Sequence, residues 1–197
     1  MPDPTGDRSR SNGTASPARR VFVLGGTGTI GQATVRALVN RGCRVTCLVR
    51  AGWEPASLAA LIPGAELRFG DAMDETSIAR DGVRGEAFDA VISCLASRTG
   101  VPQDAWAVDH AANSAALRVA CAAGMRHMVL LSAICVQKPR LAFQEAKLAM
   151  ERELIASGMP YSIVRPTAFF KSLTGQVARV QRGKPYVVFG DGTLTSC

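Results

Sequence analysis

Residues 23–31, VLGGTGTIG, constrain the fold more than any other segment of this sequence. An apolar run, RVFVL, leads into the glycines, and a stretch with helical spacing at 29–41 follows them. Glycines at such a junction allow positive φ, close approach of the backbone to a ligand and tight packing of a helix against a strand. We therefore interpret the segment as the first turn of a βαβ unit, since an isolated tight turn would lack the flanking strand and helix.

The rest of the chain continues this alternation of apolar strands and helices. Predicted strands lie at 43–50, 66–70, 88–96, 127–136 and 161–166, and predicted helices at 74–80, 104–123 and 141–157. Parallel strands need crossover connections, and helices on those crossovers cover both faces of the sheet. Six strands in this pattern predict an α/β fold with a doubly wound parallel sheet, the Rossmann arrangement that binds NAD(P).

Length and local composition predict how the chain is divided. The 197 residues suffice for one domain with a substantial core. Residues 1–19 are rich in Pro, Gly, Ser and Thr and are expected to form a disordered arm, whereas 20–167 should form the NAD(P)-binding domain. The final KPYVVFGDGTLTSC predicts one more strand and a turn with no later element to pack on them. We therefore expect 168–197 to be the start of a substrate-binding part that is truncated and largely missing.

Charge and cysteine usage exclude several classes of protein. Four arginines and two aspartates among residues 1–20 account for +2 of the net charge of +7, which leaves +5 for the rest. No arginine-rich or aromatic-basic run accompanies that charge, so a solvated basic surface is favoured over nucleic-acid binding. The six cysteines show neither a CxxC pair nor zinc-ligand spacing, which favours free thiols in a reducing cytosol and no metal site. No apolar run approaches the roughly 20 residues that cross a bilayer.

The glycine-rich turn is expected to hold a dinucleotide. The N-terminus of the following helix offers backbone N–H groups to a pyrophosphate. The turn residues expected to contact the cofactor are Gly25, Thr27, Gly28, Thr29, Ile30 and Gly31. The second predicted strand ends in Arg50 rather than in an acid, which favours the 2′-phosphate of NADPH over the ribose hydroxyl of NADH. A surface arginine at a strand end is the alternative.

Two further segments are expected near the adenosine half of this cofactor. Asp71 follows the third strand and could face the adenine amino group, or it could instead cap the next helix. Leu95, Ala96 and Ser97 follow the fourth strand. Open α/β sheets bind ligands at the carboxyl ends of their strands, so these three residues should also lie near the cofactor.

Several longer segments carry a family resemblance that spans about residue 20 to the end. Together with the glycine-rich turn, they are VISCLASR, HMVLLSAICVQKP, FQEAKLAMERELIASGMPYSIVRPTAFFKSL and GKPYVVFGDG. The chain resembles the divinyl chlorophyllide 8-vinyl-reductases, atypical members of the short-chain dehydrogenase/reductase superfamily. The resemblance implies NADPH-dependent reduction of the 8-vinyl group of divinyl (proto)chlorophyllide, a tetrapyrrole, in chlorophyll or bacteriochlorophyll biosynthesis. We expect a cytoplasmic protein of a photosynthetic bacterium with at most peripheral membrane contact, and leave a plastid location and the oligomeric state open.

The resemblance also implies roles for residues around the nicotinamide. Lys147 matches the superfamily lysine that binds the nicotinamide ribose, and Ser132 matches its catalytic serine. Phe143 stands where the superfamily has a proton-donating tyrosine, four residues before the lysine. Pro166 is expected to lie beside the nicotinamide, and Phe169 and Phe170 to line the substrate pocket.

Alternatives remain for both the residues and the function. Lys147 could be a surface lysine paired with Glu151 at i+4, and Phe169 and Phe170 could belong to the core. The protein could be an NADP-sensing regulator of the nitrogen-metabolite-repression type, or an atypical reductase of another conjugated substrate. The lysine and the SAICVQKP segment favour the vinyl reductase, because a sensor has no evident need for them.

Overall fold

A six-stranded parallel sheet forms the centre of the computed structural model, which describes residues 18–167 and 174–186. The strands are β1 (Arg20–Leu24), β2 (Arg44–Val49), β3 (Glu66–Phe69), β4 (Ala90–Ser93), β5 (Met128–Leu131) and β6 (Tyr161–Val164). Their order across the sheet is β3-β2-β1-β4-β5-β6, and every neighbouring pair is parallel. The predicted doubly wound α/β fold is confirmed. The direction of winding reverses between β1 and β4, where ligands of such sheets bind.

Helices cover both faces of this sheet. They are α1 (Thr29–Asn40), α2 (Pro55–Leu61), α3 (Glu75–Ser77), α4 (Pro102–Asp104), α5 (Asn113–Ala122), α6 (Ala142–Ala156) and α7 (Thr174–Gln181). Two π-helical segments interrupt them: Ile78–Val83 continues α3, and Ala105–Ala112 joins α4 to α5. Within the described part of the chain, no helix is both long enough and apolar enough to span a membrane.

Alternation along the strands divides the core into two layers. In β1, Phe22 and Leu24 pack in the layer that α5 and α6 complete with residues such as Met150 and Leu154. Val21 and Val23 point to the other layer, which α1 and α2 complete. Successive side chains of a strand point to opposite faces, so one apolar run supplies both layers.

Two predicted strand lengths are wrong because the chain turns at the edge of the sheet. The strand expected at 88–96 is limited to β4, and the one expected at 127–136 ends at Leu131. Ser132 N–H still donates to Val164 O at 2.8 Å, but Cys135 has a left-handed φ of +67° and reverses the chain. The apolar SAICV segment therefore forms a turn at the carboxyl edge of the sheet.

Helix α2 was not predicted, although the sequence carries its start signal. The Glu54 carboxylate accepts a hydrogen bond from Ser57 N–H at 2.9 Å, and Pro55 occupies the first turn. Leu58 is fully buried in the core layer of α1 and α2. The helix was missed because it has seven residues, too few for its apolar spacing to be recognised.

Candidate active site

The turn between β1 and α1 is packed so closely that two of its glycines are required. Gly25 has φ +72°, and a Cβ there would lie 2.7 Å from the carbonyl carbon and oxygen of Cys94 after β4. A Cβ on Gly31 would lie 2.1 Å from Gly25 O. Gly28 occupies the N-cap of α1 and donates its N–H to Gly25 O at 3.1 Å. The turn thus brings bare backbone and a helix N-terminus to the carboxyl edge of the sheet.

A cleft of about 260 Å³ opens beside this turn, between the ends of β1, β2 and β4, and we call it the β1–β4 cleft. Predicted cofactor residues that line it are Gly25, Thr27, Gly28, Arg50, Asp71, Leu95 and Ala96. The lining also includes Trp53, Met73 and Arg98, which the sequence reasoning missed. Thr29, Ile30 and Gly31 are not among its lining residues. Gly31 instead supports the turn from behind, where it contacts Gly25.

The capping alternative for Asp71 is wrong. Asp74 is the N-cap of α3, and its carboxylate accepts the N–H of Thr76 at 3.0 Å. Asp71 accepts the N–H of Met73 at 2.8 Å and lines the β1–β4 cleft. Its contact with an adenine stays a prediction.

A second cleft, of about 570 Å³, lies between the end of β5 and α6, and we call it the β5–α6 cleft. It contains the predicted Lys147, Ser132, Phe143 and Pro166, as well as Ser97. Ala96 and Arg98 line both clefts, so the two share a boundary after β4. Phe169 and Phe170 lie outside the described residues.

Lys147 is buried, which contradicts the surface-lysine alternative. Its side chain is 8% exposed, and Nζ lies 2.9 Å from Oδ1 of Asp109, whose side chain is fully buried. Nζ also donates to Leu131 O at 3.3 Å. The partner expected at i+4, Glu151, pairs with Arg165 instead. Asp109 was missed because only the tertiary fold brings it to Lys147.

Ser132 lies beside Lys147, and its buried hydroxyl lies close to the Glu151 carboxylate without a well-aligned hydrogen bond. The residue is 3% exposed, and no group among residues 18–167 and 174–186 makes a hydrogen bond of good geometry to Oγ. A hydroxyl has two lone pairs besides its O–H, so Oγ can still accept a hydrogen bond from a group that enters the cleft. This hydroxyl therefore fits a site that is completed by a ligand.

Glu151 and Arg165 form a bidentate ion pair behind Ser132. Arg165 Nε donates to Glu151 Oε1 at 3.0 Å and Nη2 to Oε2 at 2.5 Å. Burial is the largest single influence and raises the pKa of Glu151, but hydrogen bonds from Arg165 and Ser132 and the positive charges of Arg165 and Lys147 together hold that pKa below its ordinary value. Glu151 is therefore a fixed negative charge under the site.

Comparison with known proteins agrees with this architecture. A protein-family model described as NAD(P)H-binding matches residues 25–193. The chain is 45% identical over 188 residues to "Divinyl chlorophyllide a 8-vinyl-reductase, chloroplastic" of Zea mays, covering 90% of this chain and 47% of that one. The protein of that name from Cucumis sativus is 46% identical over 189 residues, covering 90% and 45%. The resemblance in the sequence is confirmed, and the chain spans about half the length of these relatives.

Solved structures share the fold. Bordetella bronchiseptica WbmG in complex with NAD matches with a TM-score of 0.70, covering 87% of this chain and 62% of that chain at 16% identity. An identity this low supports the fold alone. With the family match, the cofactor is a nicotinamide dinucleotide.

Proposed function

This chain belongs to the NAD(P)H-binding family, and from that premise we propose that it reduces the 8-vinyl group of a divinyl chlorophyllide to an ethyl group with NADPH. The names of its plant relatives support this substrate. The observation that carries the proposal is the β5–α6 cleft, where buried Lys147 and Ser132 stand beside Phe143. A site with the lysine and serine of a reductase but no tyrosine suits a substrate whose reacting group is a vinyl group and not a carbonyl.

The residues present fit this cofactor. The backbone N–H groups of the β1–α1 turn would hold the pyrophosphate, Arg50 the 2′-phosphate and Lys147 the nicotinamide ribose. When bound, NADPH supplies a hydride. Lys147 has three N–H donors, of which Asp109 and Leu131 O use two, so one is left for a ribose hydroxyl.

The vinyl group explains why a phenylalanine suffices beside the lysine. A carbonyl places negative charge on one oxygen during reduction, and a positioned acid there is worth about 10²–10⁴ in rate. Hydride addition to the terminal vinyl carbon spreads the charge into the conjugated macrocycle, so that no single atom needs a strong acid. The inner carbon then takes one proton, which converts –CH=CH2 to –CH2–CH3. We assign packing against the flat ring to Phe143, and delivery of that proton to Ser132, to water or to a group of the substrate-binding part.

An absorbance assay tests the proposal. The full-length protein is mixed with divinyl chlorophyllide a and either NADPH or NADH, and the blue shift that follows loss of vinyl conjugation is recorded. The maize relative serves as the positive control. We expect the shift with NADPH. If the maize protein shifts the spectrum while this protein binds NADPH without any shift, the reductase proposal fails and the sensor alternative is favoured.

Arg50→Ala should change the choice of cofactor. Loss of a charged contact to the 2′-phosphate is expected to raise the Kd for NADPH about tenfold to a hundredfold while NADH binding stays within about twofold. Titration of cofactor fluorescence measures both constants. Arg44→Ala, at the opposite end of β2, is the matched control and should change neither value. If Arg50→Ala raised the Kd values for NADH and NADPH equally, Arg50 would not be the residue that binds the 2′-phosphate.

Phe143→Tyr tests whether an acid is needed at this position. We expect the turnover rate for the vinyl substrate to change by less than about tenfold, since a general acid contributes little where charge is delocalised. The same absorbance assay measures it. A gain of several orders of magnitude would mean that the site lacks a proton donor that the chemistry requires.

The division of the chain and its location remain part of the proposal. We assign cofactor binding to residues 20–167 and the start of substrate binding to 168–197, with 1–19 as an arm. We place the reaction in the cytoplasm of a photosynthetic bacterium, where the protein contacts the membrane at most peripherally. The composition of the first 19 residues and the absence of a long apolar run in the sequence support this reading.

A further inference from the structure

Asp109 joins three structural elements with one buried carboxylate. It is 1% exposed and lies in the π-helical segment Ala105–Ala112. Oδ1 accepts the N–H of Ser97 at 3.2 Å and lies 2.9 Å from Lys147 Nζ, while Oδ2 accepts the Ser97 hydroxyl at 2.6 Å. The carboxylate therefore ties the loop after β4 to α6 at the point where the two clefts meet.

A second pair of buried side chains, Ser93 and Asn113, stabilises the π-helical segment. Asn113 Nδ2 donates to Val108 O at 3.0 Å and to Asp109 O at 3.3 Å, and its Oδ1 accepts the Ser93 hydroxyl at 2.5 Å. Ser93 and Asn113 are both buried. The Asn113 amide thus bonds to carbonyls within the widened turns, and such turns are common at functional sites. This pair fixes the backbone that presents Asp109 to Lys147.

We propose that Asp109 is a positioning residue that holds Lys147 and Ser97 in one arrangement for binding the nicotinamide ribose. The proposal rests on the assignment of Lys147 to that ribose in the proposed function. Without Asp109, the ammonium would keep only Leu131 O as a fixed acceptor among the described residues, and it could rotate freely. The loop of Ser97, which lies between the adenosine and nicotinamide ends of the site, would lose both of its bonds to the carboxylate.

A comparison of NADPH with a fragment that lacks the nicotinamide ribose distinguishes a positioning role of Asp109 from a merely structural one. Asp109→Asn keeps the shape of the side chain and removes its charge. It should raise the Kd for NADPH about tenfold, the usual scale for loss of a charged hydrogen bond. The fragment 2′,5′-ADP lacks the nicotinamide ribose, so its Kd should stay within about twofold. NADH and ADP are measured in parallel, so that the comparison holds whichever cofactor the protein prefers.

Lys147→Met and a double variant complete the experiment. If Asp109 acts through Lys147, Lys147→Met raises the Kd for NADPH by a similar factor. The double variant Asp109→Asn/Lys147→Met then binds NADPH no more weakly than Lys147→Met alone. The double variant also removes both buried charges, so that neither is left unpaired if a single variant folds poorly. Circular dichroism of each variant checks folding.

Glu153→Gln is the matched control, because Glu153 also links the π-helical segment to α6. Its Oε2 lies 3.2 Å from His110 Nε2, and it is absent from the lining of both clefts. Glu153→Gln should leave the Kd values for NADPH and 2′,5′-ADP unchanged. If Asp109→Asn weakens NADPH and 2′,5′-ADP equally, or leaves NADPH binding unchanged while Lys147→Met weakens it, the positioning role is overturned. If Lys147→Met has no effect on NADPH, the ribose assignment in the proposed function fails, and this proposal fails with it.

Discussion

Gly31→Ala is expected to raise the Kd for NADPH about tenfold to a hundredfold, because a displaced turn loses charge-assisted hydrogen bonds to the pyrophosphate. The added Cβ would lie 2.1 Å from Gly25 O, 2.8 Å from Gly26 Cα and 2.9 Å from the Gly25 carbonyl carbon. All three are backbone atoms, so no side chain can rotate to make room. The turn must move away from α1, and the helix N-terminus then no longer faces the pyrophosphate in the same geometry.

Fluorescence titration with NADPH measures the loss, and thermal unfolding shows whether the fold survives. Gly175→Ala in α7 is the matched control, since a Cβ there meets nothing within 4 Å. Gly28→Ala is a second comparison, because its Cβ would meet only Gly25 O at 3.4 Å. It should therefore fold normally. If Gly31→Ala bound NADPH as tightly as the unsubstituted protein, close packing behind the turn would not be what shapes the site.

Local patterns made most of the fold predictable. Each βα unit is written in consecutive residues, as an apolar run, a turn and a helical spacing, and these units determine a parallel sheet with few possible orders. The ends of the strands and helices were harder to predict. Apolar residues at 132–136 continue the pattern of β5, yet the left-handed Cys135 reverses the chain there. An apolar residue serves a strand and a buried turn equally well, so periodicity alone could not separate the two.

The residues of the candidate site likewise divide into those that local sequence predicts and those that only the tertiary fold brings together. Gly25 and Gly28 were predictable because the chemistry of a glycine turn is local, and Arg50 follows its strand directly. Asp109 was not, since its significance comes from Lys147, 38 positions away in the sequence, and from a π-helical turn that no residue pattern announces. The alternative that paired Glu151 with Lys147 was wrong, because it followed from i+4 spacing on α6 alone, whereas Arg165 after β6 pairs with Glu151 in the fold.

Arg165→Met is expected to lower the free energy of unfolding at pH 7 by about 2–3 kcal/mol, since it leaves Glu151 buried without its ion-pair partner. Loss of one partner from a fully buried pair costs about 3–5 kcal/mol. The lower value applies here because the Arg165 side chain is 35% exposed and water already screens part of the interaction. Urea unfolding measures the change. Arg126→Met, which removes a 78% exposed guanidinium from Asp89, should cost less than about 1 kcal/mol.

The pH dependence gives this prediction a sign that simple loss of packing would not produce. The pKa of Glu151 is held below its ordinary value of 4.5 in the folded protein, so its pairing stabilises the fold above that value. This stabilisation is lost as the pH falls through the folded pKa. In Arg165→Met, burial would instead raise the pKa of Glu151, and protonation on acidification would relieve the buried charge. The stability difference between the two proteins should therefore shrink from pH 7 to pH 4. A difference that stayed constant over that range would show that Arg165 acts through its packing and not through the charge of Glu151.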